Sequence, residues 1–140
     1  MNRPGPGITL PALALALVTA ACAANRPSTE RLLVLASDES ARAAIDVSSV
    51  RGSTLGVRSV IYVVDYRQPQ EEDGFTFDRT RQRMEFNCRE HTSRIRTGEA
   101  VLQGRVITRQ ALPEDELEWE EVPPGTWVAA AMKLVCEMAS

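Results

Sequence analysis

The chain has 140 residues, a length that suits a single domain, and its 44% apolar and 25% charged residues are typical of a folded globular protein. Its net charge of −3 argues against a general affinity for nucleic acid. The composition also excludes collagen, a coiled coil, a multispan membrane protein and a zinc-finger array.

Residues 1–21 have the layout of a secretory signal. Arg3 supplies the positive start, residues 8–18 are an apolar run, and small residues follow as far as Cys22. The run is too short for a transmembrane helix, which needs about 20 residues. We therefore expect an exported protein.

Two cleavage sites compete at the end of this signal. Ala20-Ala21-Cys22 fits the end of a lipobox, in which Cys22 becomes the lipid-bearing first residue and anchors the protein to a membrane. Thr19 stands where that motif usually has Leu, and ordinary cleavage after Ala23 is the alternative. The cysteine count favours lipidation, because three cysteines leave one thiol over if two pair. We predict a tether at residues 22–30 and a folded domain at 31–140.

Segments rich in β-formers predict about six strands, at residues 31–36, 43–47, 55–66, 79–88, 92–102 and 105–108. The first is expected to be buried. The third is expected to be central, because residues 60–64 are all apolar. Residues 68–74 contain Pro69, three acids and Gly74, which predicts a surface loop, and residues 113–121 predict an acidic loop around Trp119. Short connections without helices favour an antiparallel sheet.

One helix is predicted, at residues 127–138, after a Pro-Pro-Gly stop and with Thr126 as its N-cap. Its apolar side chains share one face, which we expect to pack on the sheet and to give an α+β fold. Cys88 lies on the apolar face of its strand and Cys136 on the apolar face of the helix. We therefore predict a Cys88–Cys136 disulfide, since metal ligation would need further Cys or His ligands at suitable spacing.

Several segments resemble the surface-adhesin protein E family of bacterial outer-membrane lipoproteins. The similar segments are residues 45–51, 63–70, 84–89 and 119–125, followed by the terminal helix with Cys136. The resemblance covers about residues 31–138 and implies an antiparallel sheet with a C-terminal helix held by a disulfide. The founding member binds host matrix proteins such as vitronectin and laminin. The resemblance thus implies a protein ligand and an outer-membrane location, surface or periplasmic.

Three arginines are the candidate binding residues. Arg79, Arg81 and Arg83 alternate with the inward set that contains Met84 and Phe86, so they share the outward face of their strand. One interpretation is a partner-binding face for an anion or an acidic protein, and the other is a solvated face that protects an edge strand. Together with the acidic loop, this Arg-rich strand also predicts a weak, salt-sensitive homodimer.

No pattern in the sequence indicates catalysis or a cofactor. His91 is the only histidine and no nucleophile is placed near it, and an acid–base pair such as Asp65 and Asp78 arises easily by chance among 19 acids. Nucleotide-binding, acyl-transfer and metal-binding motifs give no signal. We therefore predict a non-catalytic binding lipoprotein of the cell envelope. The alternative is a structural or accessory periplasmic lipoprotein without a host ligand.

Overall fold

A computed structural model describes residues 29–53 and 55–138 of the chain. Six strands form one antiparallel sheet in chain order: β1 (Leu32–Ser37), β2 (Ala41–Gly52), β3 (Val57–Glu72), β4 (Phe75–Asn87), β5 (Thr92–Leu102) and β6 (Arg105–Ala111). A short 3₁₀ turn (Glu114–Glu116), a short strand β7 (Glu120–Glu121) and one helix, α1 (Trp127–Glu137), follow. The predicted α+β class and antiparallel sheet are confirmed.

Strand β5 has three strand partners: β4 on one side, and β6 and β7 on the other. Its second half, Thr97–Leu102, pairs with β6, whereas β7 pairs with Thr92 and Ser93 at its start. The segment between β6 and β7 therefore returns along the same strand, which places the acidic loop beside β5.

Strand β1 is an edge strand, so the prediction that it is buried was wrong. It pairs with β2, and Leu33 and Val34 remain 42% and 49% exposed. Leu35 is partly buried against the core. The apolar run that suggested burial on both faces is therefore only partly covered, because an edge strand has one strand neighbour.

The predicted loop at residues 68–74 is also wrong, because β3 continues to Glu72. Tyr66 to Pro69 lie in a register shift opposite Asp78. Proline has no N–H to donate to a ladder, so Pro69 is tolerated at this irregular position. Asp73 and Gly74 form the two-residue turn into β4 with φ of 51° and 80°. Positive φ at both positions is the geometry of a type I′ hairpin, which an Asp-Gly pair favours.

A second irregularity lies between β2 and β3, where residues 47–50 oppose Val60. The buried Ser49 bridges this gap: its hydroxyl donates to the Asp46 carbonyl at 2.6 Å and accepts from the Ile61 N–H at 2.8 Å. A side chain thus replaces the backbone partners that the ladder lacks here.

The core lies between α1 and one face of the sheet. Ile45, Val60, Met84 and Phe86 from three strands meet Ala131 and Val135 of the helix. As predicted, Thr126 caps α1, its hydroxyl accepting from the Ala129 N–H at 3.1 Å.

The predicted disulfide between Cys88 and Cys136 is present, with Cα atoms 5.7 Å apart. Cys88 directly follows β4, and Cys136 lies in the last turn of α1. The bond therefore fastens the end of the helix to the end of a central strand.

Candidate functional site

The sheet face opposite α1, here called the charged face, carries Arg79, Arg81 and Arg83 of β4. Alternation along β4 requires this, because Met84 and Phe86 point into the core beneath the helix. The predicted placement of the three arginines is therefore correct. Strand β4 lies between β3 and β5, however, so the interpretation as protection of an edge strand was wrong.

At one end of the charged face, Asp65 lies between two guanidinium groups. It accepts from Arg42 Nη2 at 2.8 Å and from Arg79 Nε. Burial, the largest single effect, acts to raise the pKa of Asp65, but the hydrogen bonds and charges of Arg79 and Arg42 together lower it below the ordinary value. Asp65 is therefore held as a carboxylate.

In the middle of the charged face, Arg81 binds two carboxylates. Its Nη2 lies 2.6 Å from Glu30, and its Nη1 lies 2.9 Å from Glu99, which also accepts from Arg109 at 2.7 Å. The side chain of Glu30 is only 13% exposed. Glu30, assigned to the tether by sequence, is thus docked on the sheet.

The charged face also covers apolar groups. Val63 is fully buried on β3 and is the cross-strand partner of Arg81, and Ala44, the partner of Val63 on β2, is 1% exposed. Long arginine stems can bury methylene groups over such residues while their charged ends meet carboxylates. This face is therefore packed and paired, unlike a simple solvated surface.

A second cluster joins β4, β5 and the acidic loop. Glu85 accepts from Arg94 Nε at 2.6 Å and from Arg96 Nη1 at 3.1 Å, and Arg96 also pairs with Glu114. Burial is again the largest effect and acts to raise the pKa of Glu85, but the two arginines together bring it below the ordinary value.

Trp119 closes this cluster from the loop side. The guanidinium carbon of Arg94 lies 4.5 Å from its ring centroid, a cation–π contact. The ring is partly buried, and it does not belong to the core cluster beneath α1. The acidic loop thus has basic partners on β5 of its own chain, a partnership that the sequence reasoning missed.

The groove beside these networks is lined by Arg81 and Arg83 of β4, by Asp46 of β2 and by Thr97 and Glu99 of β5. It has a volume of about 600 Å³, and Ile61 of β3 contributes to its wall. Arg83 is half-buried there. Unlike those of Arg79 and Arg81, its side chain has no hydrogen-bond or ion-pair partner within residues 29–53 and 55–138.

Sequence reasoning identified the three arginines but not their partners. Asp65 is the cross-strand neighbour of Arg79, and Glu99 that of Arg81. The sequence signal for these ion pairs was the presence of acids at matching alternate positions of the neighbouring strands. It becomes readable only once the register is known, and three of the ladders shift within this region.

The three residues weighed for catalysis do not share one centre: Asp65 and Asp78 line the same cavity, but His91 is not among its lining residues. His91 is exposed in the turn after Cys88, whereas Asp65 lies on the charged face. Asp78 accepts from the Gln103 N–H at 3.0 Å and so supports the β5–β6 turn. A general acid needs a raised pKa, and the pKa of Asp65 is lowered.

Cys22 and the predicted signal lie outside the described residues. Within the part of the chain that the structure covers, no helix is long and apolar enough to cross a membrane. Across the same residues, no group of three or more His, Cys, Asp or Glu side chains could hold a metal ion.

The fold and this face define a class of small α+β domain: one antiparallel sheet, with a disulfide-fastened helix on one face and an ion-pair network on the other. The chain belongs to the surface-adhesin protein E family, whose match covers residues 32–137. No curated protein matches the chain. Family membership assigns it a general adhesin-like function at the cell surface or envelope.

Proposed function

We propose that this protein is a non-catalytic lipoprotein of the bacterial outer membrane that binds a protein ligand. The observation that carries the proposal is the family match, which spans nearly all of the described domain. Matrix proteins are the ligands that the resemblance indicates, and vitronectin and laminin are the first to test.

Surface exposure is the decisive test, because adhesion requires it. Protease added to intact cells should remove the protein, while a periplasmic marker survives. Purified protein should then bind immobilised vitronectin or laminin above the level of an unrelated exported domain. Protection in intact cells would contradict the adhesin role.

Attachment through Cys22 is part of the same proposal. The variant Cys22→Ala should move the protein from the membrane fraction to the soluble fraction after detergent-free lysis. Cys88→Ala, which removes one sulfur atom of the disulfide, is the control and should stay in the membrane fraction. If wild type and Cys22→Ala fractionate alike, ordinary cleavage after Ala23 is the better account.

An accessory periplasmic component is the second candidate, and the docking of Glu30 favours it. Arg81 and Arg79 hold Glu30 on the sheet, so a chain anchored at Cys22 has seven intervening residues, 23–29. Seven residues span at most about 25 Å. The domain would therefore stay close to its bilayer, which suits a local structural partner.

The homodimer remains a prediction. Arg79, Arg81 and Glu114 are already paired within the chain, so intermolecular ion pairing would depend mainly on Arg83. Sedimentation equilibrium at low and high salt should give a dimer that weakens as salt rises, because exposed ion pairs are screened. A monomer under both conditions would contradict it.

A further inference from the structure

The two acidic side chains of the groove on the charged face, Asp46 and Glu99, have their partners within the chain. Asp46 accepts from the backbone N–H groups of Arg31 and Ser48, each at 3.0 Å. Glu99 is held by Arg81 and Arg109.

The arginines of the groove, in contrast, keep unpaired donors or uncompensated positive charge. Arg51 donates to the carbonyls of Ser48 and Val50, which leave its positive charge uncompensated. The guanidinium of Arg83 has no acceptor among the described residues. The Nε of Arg81 is likewise buried without an acceptor there. Three arginines thus face two acids in this groove, so its positive charges outnumber its negative ones.

The N-terminal part of the chain has no side-chain carboxylate that could pair with Arg83. Residues 1–28 contain neither Asp nor Glu. A half-buried guanidinium has five donors in a planar fork, which matches the two oxygens of a carboxylate. The carboxylate that this fork matches therefore has no side-chain source in residues 1–28 or among the described residues.

We infer that this groove binds a carboxylate side chain of a partner protein, with Arg83 as the bidentate donor. The inference rests on the proposed function and deepens it, because it names the site and the chemistry of the ligand. Thr97, the cross-strand neighbour of Arg83, places a hydroxyl at the same wall. A groove of about 600 Å³ accommodates an acidic side chain with part of its flanking backbone.

The flanking charges select a single carboxylate over a polyanion. Asp46 and Glu99 line the groove with Arg83, so a sulfated polysaccharide laid across it would meet negative charge next to its binding residue. Such a chain needs a continuous basic surface. One carboxylate that enters at Arg83 uses the positive charge and avoids the acids.

The test is a titration of purified protein carrying ¹⁵N-labelled arginine, followed through the Arg83 Nε–H signal. The probes are a capped Gly-Gly-Glu-Gly-Gly peptide, its Gln counterpart and a heparin-derived tetrasaccharide. The Glu peptide should shift the Arg83 signal. The Gln peptide should bind about tenfold more weakly, as expected for loss of a charge-assisted hydrogen bond.

Two variants that each remove one positive charge distinguish binding in the groove from a general effect of the protein's charge. In uniformly ¹⁵N-labelled protein, Arg83→Gln should abolish binding of the Glu peptide, followed through the backbone amide of Thr97. Arg105→Gln, at an exposed position at the start of β6, should leave binding unchanged. Thermal unfolding of both variants should confirm that they fold.

Equal binding of the Glu and Gln peptides, binding of neither, or binding that survives Arg83→Gln would overturn the inference. So would a shift of the Arg83 signal by the tetrasaccharide alone. The titration does not depend on cell-surface exposure, so a protected but carboxylate-binding protein would refute the adhesin role and retain the site.

Discussion

The guanidinium carbon of Arg94 lies 4.5 Å from the centre of the Trp119 ring, and the same guanidinium binds Glu85 of β4 at 2.6 Å. A side chain of β5 thereby connects the neighbouring strand to the acidic loop. Arg94 thus makes two chemically different contacts with one cation, and together they connect the loop to the sheet.

Removal of the Trp119 ring should release this loop. A cation–π contact is worth about 0.5–2 kcal/mol, so Trp119→Leu should speed cleavage at residues 114–121 by about fivefold. The reagent is a Glu-specific protease, because Glu114, Glu116, Glu118, Glu120 and Glu121 lie in the segment. Phe75→Leu, at a 43% exposed aromatic residue on β4, is the control and should be cleaved like wild type. Unchanged cleavage of Trp119→Leu would mean that the ring does not hold the loop.

The disulfide should contribute a large part of the stability. It links residues 48 apart, and a loop of that size corresponds to about 4 kcal/mol in the chain-entropy description. The double variant Cys88→Ala, Cys136→Ala should unfold at markedly lower urea concentration. Reductant should lower wild type to the same value and leave the double variant unchanged. A double variant as stable as oxidised wild type would contradict this.

Acid should destabilise the domain through the charged networks. The folded-state pKa values of Asp65 and Glu85 lie below their ordinary values of 3.8 and 4.5. Each therefore adds stability above its ordinary pKa, and this stability is lost as the pH falls through the lower, folded-state value. The melting temperature should hold between pH 7 and about 5 and fall below about pH 4.

Substitution of one carboxylate tests this assignment. Asp65→Asn should lower the melting temperature at pH 7 and reduce its dependence on pH below about 4. Asp73→Asn is the matched control, since Asn suits the positive φ of that turn. An acid profile that Asp65→Asn leaves unaltered would assign the acid sensitivity to other carboxylates.

Ser49 should be needed where β2 leaves its regular register. Ser49→Ala deprives the Ile61 N–H of its acceptor, and an unsatisfied buried group costs about 1–3 kcal/mol. The midpoint of urea unfolding should fall accordingly. Ser37→Ala, at the exposed end of β1, should change it little. Equal midpoints for both variants would show that water or a shifted backbone satisfies the Ile61 N–H.

Local patterns in the sequence were enough to predict several secondary-structure elements. The N-cap Thr126, the helix from Trp127 and the fifth strand at Thr92–Leu102 were predicted because capping, periodicity and β-propensity act over a few residues. The disulfide followed from two local facts, the apolar faces on which Cys88 and Cys136 lie.

Only the tertiary structure decided which charges meet. Glu30 precedes the first strand, yet it binds Arg79 and Arg81 across the sheet, and Glu114 reaches Arg96 from a loop 18 residues away. These contacts depend on strand order and on register shifts, which a pattern of alternation leaves open. The sequence by itself determined an outward row of three arginines. The fold paired two of them with carboxylates and left the Arg83 guanidinium without an acceptor in the described chain, because a carboxylate stands opposite a given arginine only where the ladder brings it there.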